Sequence, residues 1–130
     1  MTPVQVVEKQ LAAFNTRNLK EFLASYSEDA RVHDLQGGRP TLIGRRAIAT
    51  VYAKVFENEG LRGEVLARLT VGNKVIHHKR CWGLGPDAVD FVAVYEVAGD
   101  HIRAAWLHRA NQLSEPTMVE PIAAAAASEA

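Results

Sequence analysis

Cysteine is nearly absent: Cys81 stands alone in 130 residues. An internal disulfide, a redox pair and a thiolate metal site all need a second thiol, so none is expected, and a reducing compartment suits the chain. Long apolar runs are missing too. No stretch reaches the ~18 continuous apolar residues of a membrane span. The opening, Met1 to Lys9, carries Glu8 where a secretory leader would need a basic start and an apolar run. A cytoplasmic location without a membrane partner is therefore expected. Nor does charge of one sign prevail, because fifteen Lys and Arg balance fifteen Asp and Glu. That balance removes the electrostatic footprint of a nucleic-acid binder, and no nucleic-acid partner is expected.

What remains is an ordinary globular composition, 48% hydrophobic and 23% charged, in a chain long enough for one core and too short for two. Val4, Val7, Leu11 and Phe14 recur at helical spacing behind Thr2 as N-cap and Pro3 at the first helical position, predicting a helix over about 3–15. Asn18 can cap a second, short helix carrying Leu19, Phe22, Leu23 and Tyr26 and ending near Ser27. Ala30 to Asp34 alternates as a strand. Gln36 to Pro40 has turn composition, and Thr41-Leu42-Ile43 reads as a brief return strand. A third helix follows Gly44, with Ile48, Val51, Tyr52, Val55 and Phe56 on one face and Gly60 as its stop.

From Leu61 the period changes to alternation. Turn signals at Gly72-Asn73, Gly83 to Asp87 and Gly99-Asp100 divide the rest into four strands. Three helices followed by hairpins predict an α+β fold, a curved antiparallel sheet wrapped around the helices as a cone with an interior pocket. The domain is expected over residues 1–113, and 114–130 reads as a Pro/Ala-rich tail.

Two-residue turns would fix the register and so sort the faces. About Gly72-Asn73, Leu69 would pair with Ile76, Ala67 with His78 and Val65 with Arg80. The more apolar row, which includes His78 and Trp82, is expected to face the helices, leaving Arg68, His77 and Lys79 outside. About Gly99-Asp100, Tyr95 would pair with Ala104, Ala93 with Trp106 and Phe91 with His108, again facing inward. The other face would pair Glu96 with Arg103 and carry Val92, Val94, Ala105 and Leu107, enough apolar surface to suggest a homodimer through the outer face of the sheet. Asp34 shares its parity with Val32 and is expected to point inward, where a carboxylate marks a polar pocket or the mouth of the cone.

The segments Leu11 to Leu19, Tyr26 to Asp34, Gly44, Gly72 to Ile76 and Val94 to Ile102 resemble the nuclear transport factor 2-like superfamily, nearest to ketosteroid isomerase and SnoaL-like domains. The resemblance covers roughly the first 110 residues. It implies the cone fold and a pocket for a small molecule, and places Asp34 where ketosteroid isomerase keeps its general base. Gln10 falls at the position of that enzyme's oxyanion tyrosine and Ala93 at that of its aspartate, so the usual oxyanion hole is missing.

His78 is the expected replacement donor, with Tyr52, Trp82, Tyr95, Trp106 and His108 lining the pocket beside it. Asp34 as base and His78 as donor would suit proton abstraction beside a carbonyl or activation of water, hence an isomerase, cyclase or hydrolase acting on a small apolar carbonyl or epoxide compound. A non-catalytic binding module, a dimeric accessory subunit and a scaffold stay open beside it. No cofactor is expected. Neither is a metal, since His77 and His78 are neighbours in a strand and leave opposite faces.

Overall fold

The computed structural model describes residues 1–37 and 40–110. The tail expected over 114–130, and the domain boundary before it, lie outside the described residues. Helix α1 spans Pro3–Asn15, opened by the foreseen cap: the Thr2 hydroxyl accepts from Gln5 N while the Gln5 side chain accepts from Thr2 N. Asn18 caps α2, Leu19–Ala24. Tyr26, expected at the end of that helix, instead opens strand β1, Tyr26–Asp34, followed by β2, Pro40–Ile43. Helix α3, Arg45–Val55, starts from Gly44 at φ +87°, where no side chain caps it. The Arg45 guanidinium reaches back to the Tyr26 carbonyl, which accounts for a basic residue at a helix start. Strands β3, Arg62–Val71, β4, Lys74–Trp82, β5, Val89–Ala98, and β6, His101–Ala110, complete the described residues.

One sheet holds the six strands in the order β2-β1-β6-β5-β4-β3. All neighbours are antiparallel except β1 and β6, which run parallel and join the start of the chain to its last hairpin. The helices pack on the inner face around an aromatic cluster in which Phe22, fully buried, lies between Phe14, Tyr26, Tyr52 and Phe56 at centroid distances of 4.6–6.3 Å. Such rings supply most of the apolar area a small core can bury. Helix α1 is tied to the sheet at Gly63, whose backbone N–H and carbonyl both bond the Asn15 side chain, at 2.7 and 3.0 Å. A methyl at Gly63 would press on Leu11 and Phe14, so that close approach calls for glycine.

Two register breaks, in β3 and between β5 and β6, and an inward row of β4 opposite to the expected one overturn the facing of the hairpins. Leu69 pairs with Ile76 and Ala67 with His78 as foreseen, but a bulge between Val65 and Ala67 sets Val65 against Lys79 instead of Arg80. Val65 thus turns toward the helices while Ala67 and Leu69 turn away. In β4 the buried row is Val75, His77, Lys79 and Cys81, so His78 and Trp82 lie on the outer face. A second bulge, between Glu96 and Val97, pairs Tyr95 with Ala105, Ala93 with Leu107 and Phe91 with Arg109. That single-residue slip brings Ala105 and Leu107 inside and puts Trp106 outside, stacked on His33 at 5.1 Å. The Glu96–Arg103 ion pair forms all the same, at 2.5 Å, joined by Lys74 at 2.7 Å.

Under α1, the inward His77 accepts from Arg68 Nε at 3.0 Å, and Arg68 in turn holds Glu8 of the helix. Burial, then Arg68 and Lys79, push the imidazole from 6.5 down to about 3, so it is neutral in the fold. The unfolded chain takes up this proton below about pH 6.5. Between there and pH 3 it binds more protons than the native state, so stability falls as pH falls. Urea midpoints at pH 7.5 and 4.5 should drop more in the wild type than in His77→Gln; equal drops would contradict this.

Candidate functional site

Inside the cone, between α1, α3 and the concave face of β4–β6, lies a cavity of about 180 Å³. The rings of Phe14, Tyr26, Tyr52, Phe91 and Tyr95 form its walls, and Val51, Val55, Leu84 and Leu107 fill the gaps between them. Among the described residues its one charged lining residue is Lys79, which extends from β4 among these rings and is only 8% exposed. The ammonium donates to the Tyr95 hydroxyl at 3.3 Å and sits 5.4 Å from the Phe14 centroid. Burial opposes the Lys79 charge, whereas ionised Tyr95, Cys81 and Tyr52 would favour it, and the balance lies above the ordinary lysine value. Phenols and thiols ionise only in alkaline solution, so at neutral pH the ammonium faces neutral dipoles.

Tyr26 and Tyr52 keep their protons. Burial, with smaller contributions from Tyr52 and Tyr95, pushes Tyr26 well above its usual value against the opposing hydrogen bond from Gln10. Tyr52 is pushed up to about 12, again chiefly by burial. Burial also raises the Cys81 thiol, outweighing Lys79. Gln10 is itself buried, and its amide donates to the Tyr26 hydroxyl at 2.9 Å. The α1 position that the resemblance matches to an oxyanion donor is therefore committed to orienting a tyrosine, and Ala93, fully buried, offers no donor at the other.

Asp34 ends β1 in a recess beside the cavity, together with His33, Thr41, His108 and Arg109. Phe91 and Leu107 line both the recess and the cavity, so the two adjoin at these residues. Asp34 Oδ1 accepts from Gln36 N at 3.2 Å, closing a turn after the strand. The fold thus places Tyr52 and Tyr95 in the cavity, and Asp34 with His108 next to it.

It does not bring His78, Trp82 or Trp106 there. On the outer face His78 Nε2 lies 2.7 Å from Asp90 Oδ2, and Arg80 holds the same carboxylate at 2.7 and 3.2 Å. Trp82 lies 5.0 Å beneath the Arg62 guanidinium. Reasoning from the sequence missed Lys79, Cys81 and Leu107 as lining residues. The available signal was the parity of Lys79 with Val75 and Cys81, against which the charge of lysine argued for solvent. Among the described residues no three His, Cys, Asp or Glu side chains converge as a metal site would require, and no helix is long and apolar enough to cross a membrane.

The SnoaL-like domain family matches residues 7–105. Among solved structures, an uncharacterized cystatin-fold protein of Novosphingobium aromaticivorans superposes with a TM-score of 0.75 at 20% identity, covering 84% of this chain and 99% of that one. A provisionally assigned ketosteroid isomerase of Kribbella flavida gives 0.72 at 20% identity, over 88% and 82% of the two chains. A provisionally assigned polyketide cyclase of Sinorhizobium meliloti gives 0.68 at 18% identity, over 80% and 94%. Among curated proteins none matches. The order of the elements, the interior cavity and the family match over most of the chain agree: this protein belongs to the SnoaL-like domain family.

Proposed function

We propose that the protein acts on a small apolar carbonyl or epoxide compound held in the cone, as an isomerase, cyclase or hydrolase, with Asp34 as general base. The observation that carries this reading is the shared lining: Phe91 and Leu107 line both the cavity and the Asp34 recess. A modest movement of those two side chains would let a bound molecule meet the carboxylate. His108, in the same recess, is a second group able to move a proton. The similarity in fold to proteins provisionally assigned as a ketosteroid isomerase and a polyketide cyclase supports chemistry at a carbon beside a carbonyl. A non-catalytic binding module is the second reading, favoured by the turn hydrogen bond from Gln36 to Asp34 and by the absence of donors from Gln10 and Ala93.

The two readings separate on α-proton exchange of acetophenone in D2O, followed by NMR. Catalysis predicts exchange faster than in buffer, and a loss of about 10²-fold or more in Asp34→Asn, the usual contribution of a positioned base. Exchange at the buffer rate, or unaffected by the substitution, would leave Asp34 a turn carboxylate and favour the binding module.

We further propose a homodimer through the outer face of the sheet. Leu69, Val71 and Val92 are 49%, 61% and 39% exposed there, beside Ile76, Val94 and Trp106. A second copy would present the same apolar row, and a net charge of zero removes self-repulsion. Sedimentation at micromolar concentration should give twice the chain mass, and Val92→Lys should give the monomer. A monomeric wild type would exclude the dimer.

A further inference from the structure

The ammonium of Lys79 is unusual for what surrounds it. It is buried in an aromatic cavity, and none of the ion pairs among the described residues reaches it. Its polar contact is one neutral hydroxyl, Tyr95, at 3.3 Å, and its other close neighbour is the face of Phe14. A buried charge without a counter-ion is costly, and a hydroxyl dipole with a ring quadrupole compensates only part of that cost. The cavity is thus electrostatically incomplete, and an anion inside it would complete it.

Shape and size narrow the anion. A cavity of about 150 Å³ takes one benzene ring, and this one, of about 180 Å³, leaves room for a few further atoms. Flat aromatic walls from Phe14, Tyr26, Tyr52 and Phe91 suit a ring laid between them. Lys79 Nζ and the Tyr95 hydroxyl lie 3.3 Å apart, so a single anionic group at one end of the ring would meet both.

We propose that the cavity takes an aromatic monocarboxylate of about benzoate size, its carboxylate against Lys79 Nζ and the Tyr95 hydroxyl and its ring among the aromatic walls. This rests on the reading of the cavity as the ligand site and adds the charge and size of what enters it. A carboxylate accepting from an ammonium and a hydroxyl makes two charge-assisted hydrogen bonds, stronger than those of a neutral ligand of the same outline.

Nitrobenzene has the outline of benzoate and no net charge, so the pair isolates the charge. Calorimetric titration of the wild type should show benzoate binding at least tenfold tighter than nitrobenzene. Lys79→Met, which keeps an unbranched stem of similar reach, should abolish that preference while retaining nitrobenzene. Equal affinities in the wild type, or a preference that survives Lys79→Met, would overturn the charge inference and leave the cavity as a ligand site. If neither probe binds, the cavity itself is not a ligand site and both readings fail. The wild-type comparison stands even where Lys79→Met does not fold.

Discussion

Two β-bulges decide which side chains meet inside the cone. Successive residues of a strand leave opposite faces of the sheet, so one extra residue exchanges a strand's inner and outer rows. The bulge between Val65 and Ala67 gives β3 opposite facing on its two sides, and the one between Glu96 and Val97 slips β5 against β6 by one residue. Through the second, Leu107 becomes a wall of the cavity and Trp106 an outer-face residue stacked on His33. Between them runs β4 without a break, and its inward row offers an amine and a thiol, Lys79 and Cys81, while its outward row holds an imidazole, His78.

Energetically, three polar groups on the inner face are accepted by being given partners. Gln10 holds the Tyr26 hydroxyl, Arg68 and Glu8 hold His77 against α1, and Tyr95 meets Lys79. Lys79 is the least compensated of them, since a hydroxyl and a ring face do not neutralise an ammonium. The outer face carries the opposite combination: an almost fully buried carboxylate, Asp90, satisfied by Arg80 and His78, set beside exposed valines and leucines.

Much of this fold is legible in the sequence. The Thr2 and Asn18 caps, the turns at Gly72-Asn73 and Gly99-Asp100, six strands and three helices follow from periodicity and turn chemistry. Tyr52 and Tyr95 line the cavity because their local parity is undisturbed; Asp34, expected to point inward, is exposed at the end of β1 in the recess, and His108, turned outward with Trp106 by the slip of β6, reaches only that recess. Trp106 falls outside the cavity through the bulge between Glu96 and Val97, and His78 and Trp82 because the outward row of an unbroken β4 is apolar enough to be taken for the inward one. A bulge has no strong signature in a run such as Glu64-Val65-Leu66-Ala67, and both faces of β4 carry apolar residues, so hydrophobicity alone chooses the wrong row. The outer face is apolar enough to look like a core, and the long stem of Lys79 lets a charged residue lie in one.

The inward row of β4 is the central claim, and nuclear Overhauser contacts from its side chains test it directly. The account predicts contacts from the Lys79 side chain to the Phe14 ring, and from the His77 ring to that of Tyr95, with none from His78 or Trp82 to the rings of Phe14 and Tyr52. Contacts from His78 to Phe14 or Tyr52 would show that β4 faces the other way, and the cavity assigned to Lys79 would not exist.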